Sequence, residues 1–209
     1  LSNQNKKFHT QVHGKWILAG EHAVLRGYPA LIFPVPDKAL RLHYVPGHEE
    51  IRAEFSGSYG EEMQFLFWGA LERSIEILNV AHKQLKGKIY IHNDIPVGVG
   101  MGASAALCVA LGRLLSHFKL FPEANLLEFA RQLENLFHNE SSGADIAVAI
   151  ANNGICFARS GSMYSILCRW QPHWYLSYSQ KPSATSRCVK KVKQILHSQP
   201  KYGESIDKE

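Results

Sequence analysis

The chain has 209 residues, 45% hydrophobic and 20% charged, with a formal net charge of +5, enough for one folded core and a small appendage. It shows no internal repeat, no low-complexity run, no apolar run of membrane-spanning length, and too polar a start for a signal peptide. The basic balance is modest and lacks the aromatic-interleaved stripe that a nucleic-acid partner asks for. Cys108, Cys156, Cys168 and Cys188 have no metal-ligand spacing and read as free thiols of a cytoplasmic protein, and none of the eleven histidines falls in a His-Glu-x-x-His pattern.

In chain order, Gly14 and Lys15 open an apolar strand, and Gly20-Glu21-His22 sits at its end, where a turn aims polar groups into a cleft. Taken singly, Lys15 reads better as a solvated lysine beside a charged turn, and the motifs that follow weigh against that. Val35 to Val45 and Ile51 to Phe55 read as strands, Glu61 to Leu85 as one long helix, and Lys88 to His92 as a half-buried strand. Ala103 to Phe118 is apolar on nearly every side and rich in helix formers. Between these last two lies Asp94-Ile-Pro-Val-Gly-Val-Gly-Met-Gly-Ala-Ser104. Its alternating glycines let the backbone close around a ligand, and the helix that follows presents unpaired N–H groups to an anion. A P-loop would end in Gly-Lys-Ser/Thr, which is absent. Gly98-x-Gly100-x-x-Ala103 meets the letters of a dinucleotide fingerprint, but that motif needs a strand after the helix, where Pro122 to His138 reads as another helix.

In that second helix Leu126, Ala130, Leu133 and Phe137 mark the buried stripe, and Glu134 falls on it, between Leu127 and Ala130. It is either an edge residue that snorkels to water or a carboxylate with a metal partner. The polar turn from His138 leads to Asp145, which caps the next helix or serves chemistry. Ile155 to Gln180 reads as three strands with tight turns, so the alternation is α+β rather than regular βαβ.

In order and spacing, these blocks resemble the GHMP kinase superfamily, in its mevalonate kinase branch, over about residues 10 to 195. Gly14-Lys15 through Ala30 is similar to Gly-Lys-x-x-Leu-x-Gly-Glu-His-Ala/Ser-Val-x-x-Gly-x-Pro-Ala. Pro96 to Ala106 is similar to Pro-x-Gly-x-Gly-Leu-Gly-Ser-Ser-Ala-Ala, and Glu134 stands eleven residues before the Asp of Ser-Gly-x-Asp. The resemblance implies the superfamily's N-terminal ATP-binding domain, ribosomal protein S5 domain 2-like, over residues 1–182. Residues 183–209 would begin a helical C-terminal domain that is otherwise absent, the chain being a fragment or naturally short. It also implies ATP-dependent phosphoryl transfer to the primary hydroxyl of mevalonate, a step of isoprenoid precursor synthesis, with ATP and Mg²⁺ as cofactors. Phosphomevalonate kinase, or a non-catalytic nucleotide-binding relative, are the alternatives, and a homodimer is left open.

Carried over by position, Pro96, Gly98, Val99, Gly100, Met101, Gly102, Ala103 and Ser104 would cradle the triphosphate, with Ser104 and Glu134 on Mg²⁺. Asp145 would accept the substrate proton and Lys15 stabilise the transferring phosphoryl group, while Glu21, His22 and Thr185 help these two seat the substrate. Ala103 and Met101 depart from the usual Ser and Leu, and Ile146 from a frequent Asn, which bears on the substrate more than on the kinase class.

Overall fold

Alternating apolar residues, most of them in the first half of the chain, build one sheet, and apolar helices from both halves pack against its inner face. A computed structural model describes residues 3–21, 23–137, 141–158, 162–167, 174–177, 185–199 and 201. The strands are β1 (Phe8–Ala19), β2 (Ala30–Glu50), β3 (Arg52–Ser56), β4 (Lys86–Asn93), β5 (Ile155–Phe157) and β6 (Met163–Ser165). The helices are α1 (Gly60–Leu78), α2 (Ala103–His117), α3 (Leu126–Glu134), α4 (Ala144–Ala151) and α5 (Thr185–Ser198).

The 21-residue β2 is the spine of the sheet. β1 pairs antiparallel along one edge, while β4 and β5 pair antiparallel with successive stretches of the other. β3 adds to β4 in parallel and β6 to β5 antiparallel, giving the mixed sheet of an α+β fold. Val12, Leu40, Leu42, Tyr44, Ile89 and Ile91 point inward and are buried, alternating with outward His9, Gln11, Arg41 and Tyr90. α2 lies against this face and is buried on nearly every side, as its unbroken run of apolar residues dictates. Gly112 in its middle permits the close approach of α3, since a Cβ there would lie 2.7 Å from Leu126 Cδ1.

The observed elements differ from the sequence reading in three places. The helix expected to reach Leu85 stops at Leu78, because Asn79 turns left-handed (φ 50°) and its N–H closes on the carbonyls of Ile75 and Glu76. The segment expected to be helical from Pro122 to His138 opens with a 3₁₀ turn and is α-helical over Leu126–Glu134, and 138–140 lie outside the described residues. Of three strands expected between Ile155 and Gln180 two form, residues 174–177 carry none, and the expected third otherwise falls on residues outside those described.

Candidate active site

Lys15 reaches the inside of the protein through a break in strand phase. Thr10 and Val12 face the helices, so uninterrupted alternation would send Gly14 inward and Lys15 out. Instead the register jumps from His13↔Ala39 to Gly14↔Val35, with Pro36, Asp37 and Lys38 of β2 looped out between them. Beyond this bulge Lys15 and Ile17 take the inner face, and Lys15 is only 6% exposed. Its N–H donates to Met101 O (2.9 Å), and its side chain runs beneath Gly102, where a Cβ would lie 2.8 Å from Lys15 Cγ. The ammonium ends 2.9 Å from Asp145 Oδ2.

The glycine loop is anchored at its root. Asn93 is fully buried: its Nδ2 donates to Tyr59 O and Ile95 O, and its Oδ1 accepts the Ile95 N–H. The next residue, Asp94, accepts the Ser58 N–H and pairs with His92, and these contacts, the Ser58 N–H foremost, hold its carboxyl below the usual range. Pro96 is buried, Val99 is half-buried, and Val97 and Met101 pack partly against the core. Gly98, Gly100 and Gly102 all have positive φ (77°, 79° and 76°), and Cβ atoms on the first two would meet nothing within 4 Å. The loop therefore turns apolar side chains inward and bare backbone toward open space. It ends at Gly102, the N-cap of α2, which supplies no capping side chain, and the first helical bond runs from Ala106 N–H to Gly102 O. Ala103 is buried in this first turn and Ser104 is half-buried.

Glu134 ends α3 at 2% exposure. Leu126, Phe129, Ala130 and Leu133 complete its buried stripe; Leu127, expected beside it, is 39% exposed. Burial, and next the charge of Asp145, push the Glu134 carboxyl up to about 7, against the opposing pull of the Ser141 hydroxyl and Lys15. Burial and then the Glu134 charge push up the Cys108 thiol, and Cys108 lies one turn beyond Ser104 on α2. Glu134 thus acts on the side of α2 that begins with Ser104. Asp145 is not a cap: Gly143 (φ 81°) is the N-cap of α4, and Asp145 sits in the first turn paired with Lys15.

Lys15, the loop, Glu134 and Asp145 thus share one region, while Glu21 is exposed in the turn after β1. His22 lies outside the described residues, as does the side chain of Thr185, which opens α5. Among the described residues no three His, Cys, Asp or Glu side chains form a metal cluster. The Ser104 hydroxyl and the buried Glu134 carboxylate are hard oxygen donors of the kind that would hold a Mg²⁺ ion. Asn93 and Ser141 escaped the sequence reading; an Asn before Asp-Ile-Pro and a Ser two residues before a turn glycine were their signals.

Residues 66–153 match the family of GHMP kinases N terminal domains, and relatives by sequence and by fold are similar to the chain beyond that stretch. That similarity runs to mevalonate kinases. The chain is 27% identical to that of Thermococcus sibiricus over 214 residues, covering 92% of this chain and 63% of the relative. It is 28% identical to that of Pyrococcus furiosus over 168 residues, covering 70% and 50%. The crystal structure of L. major mevalonate kinase in complex with R-mevalonate shares the fold with a TM-score of 0.70 and 22% identity, covering 96% of this chain and 65% of that one. The chain therefore spans less than two thirds of the length of these relatives. No described helix is long and apolar enough to cross a membrane.

Proposed function

We propose that this chain is the nucleotide-binding and base-bearing part of an ATP-dependent kinase that phosphorylates the primary hydroxyl of mevalonate. The observation that carries the reading is the 2.9 Å Lys15–Asp145 pair, with the Lys15 stem lying under the last glycine of the phosphate-type loop. Residues 1–182 form the ATP-binding domain in this reading, and residues from 183 onward begin the next.

The open backbone of Gly98 and Gly100 and the uncapped start of α2 offer N–H donors to a triphosphate. Mg²⁺, held by Ser104 and Glu134, would supply neutralisation of phosphate charge. Asp145 accepts the alcohol proton as the oxygen bonds to the terminal phosphorus and the bond to the bridging oxygen breaks, releasing ADP. Lys15 orients Asp145 by their ion pair and stabilises charge on the transferring group. An alcohol is a very weak acid, so the base is needed late, and positioning does most of the rest.

Two measurements test this. Calorimetric titration with Mg-ATP and Mg-ADP should show binding, and its absence would remove the nucleotide half. A coupled ADP-release assay across mevalonate, phosphomevalonate, galactose and homoserine should favour mevalonate, and preference for phosphomevalonate would transfer the reading to that kinase. Nucleotide binding without turnover of any alcohol would instead favour a non-catalytic relative.

A further inference from the structure

Ser141 makes three hydrogen bonds that tie the end of α3 to the start of α4. Its N–H donates to Asn135 Oδ1 (3.3 Å), its hydroxyl donates to Glu134 Oε2, and the same Oγ accepts the Gly143 N–H (3.1 Å). A hydroxyl has one proton to give, and with the Gly143 N–H on a lone pair that proton goes to Glu134. Gly143 is the N-cap of α4 and Asp145 stands two residues on, so one small side chain links the buried carboxylate to the helix that carries the base. The neighbouring Ser142 has a different task, since its Oγ accepts the Ala144 N–H (3.2 Å).

We infer that Ser141 is a positioning residue, resting on the kinase reading above: it fixes the rotation of the Glu134 carboxylate and leaves the other oxygen to a divalent cation. The terminal torsion of a glutamate is broad and nearly two-fold, so without a partner the carboxylate turns through orientations that do not hold metal. Partners of ligating carboxylates are typically worth about 10- to 100-fold in metal affinity. The link to Gly143 adds a second consequence, because it also fixes how far Glu134 lies from the start of the helix bearing Asp145.

The test uses Mn²⁺ as the probe, with ADP present, and reads free Mn²⁺ by electron paramagnetic resonance. Ser141→Ala should weaken Mn²⁺ binding about tenfold or more, and Ser141→Thr, which keeps the hydroxyl, should recover most of it. In a Glu134→Gln background, removing the Ser141 hydroxyl should have no further effect. Ser141→Cys, with its poor donor, provides the same comparison should the alanine variant not fold. Equal Mn²⁺ affinity in wild type and Ser141→Ala overturns the inference, as does an alanine effect that persists in full without Glu134. A wild-type chain that binds no Mn-ADP at all refutes the kinase reading itself and takes the inference with it.

Discussion

Glu134→Gln should make the protein more stable while weakening its metal-dependent nucleotide binding. The carboxyl titrates at 4.5 when free and at about 7 in the folded protein, where it is 2% exposed. Between those values the folded state keeps a proton that the unfolded state has lost, so stability falls as pH rises from about 4.5 to 7 and is level beyond. A rise of that size corresponds to roughly 3 kcal/mol, at about 1.4 kcal/mol per tenfold. Glutamine keeps the shape and still accepts from the Ser141 hydroxyl, but has no charge to bury. Near pH 8 the variant should therefore melt roughly 6–12 °C above wild type, and near pH 5 most of the gap should close. Thermal unfolding by circular dichroism at both pH values, with and without Mg-ADP, measures this. A variant no more stable than wild type near pH 8 would mean that the Glu134 charge is already compensated, and the argument from burial would fail.

Asp145→Asn should lower kcat about 10²- to 10⁴-fold with little change in ATP affinity, and near-normal turnover in a folded variant would reject the base assignment. Lys15→Ala should slow turnover in steady-state assays while leaving the thermal midpoint less affected than an unpaired buried charge would, because Asp145 retains 28% side-chain exposure. Gly100→Ala should incur about 1–2 kcal/mol of left-handed strain and weaken ATP binding in calorimetry. Gly27→Ala, also at positive φ and in open space, should incur comparable strain with ATP affinity intact; equal loss in both would detach the glycine loop from the nucleotide.

Much of the site was legible because its residue types are out of place by ordinary rules. A carboxylate on the apolar stripe of α3 and three alternating glycines before an apolar helix both stand out against a plain core, and the structure finds Glu134 buried and the glycines left-handed. What remained hidden depends on distant partners. Nothing local to Lys15 says that it turns inward, since Pro36 to Lys38 on another strand decide it. The sequence leaves Asp145 open between a cap and chemistry, Gly143 in the N-cap position removes the cap, and Ser141 has meaning only once α3 and α4 meet. Helix ends were misjudged where a single residue overrode propensity, as Asn79 does at the end of α1.

The break in phase at Gly14 makes β1 a strand written in two reading frames, an even one through Thr10 and Val12 and an odd one through Lys15 and Ile17. Point substitutions along it act locally, but a one-residue insertion or deletion between Val12 and Lys15 exchanges the frames and turns the ammonium to the opposite side of the sheet from Asp145. The position of this lysine is thus a matter of counting as much as of chemistry. Besides the lysine itself, what this stretch of the chain must preserve is its length.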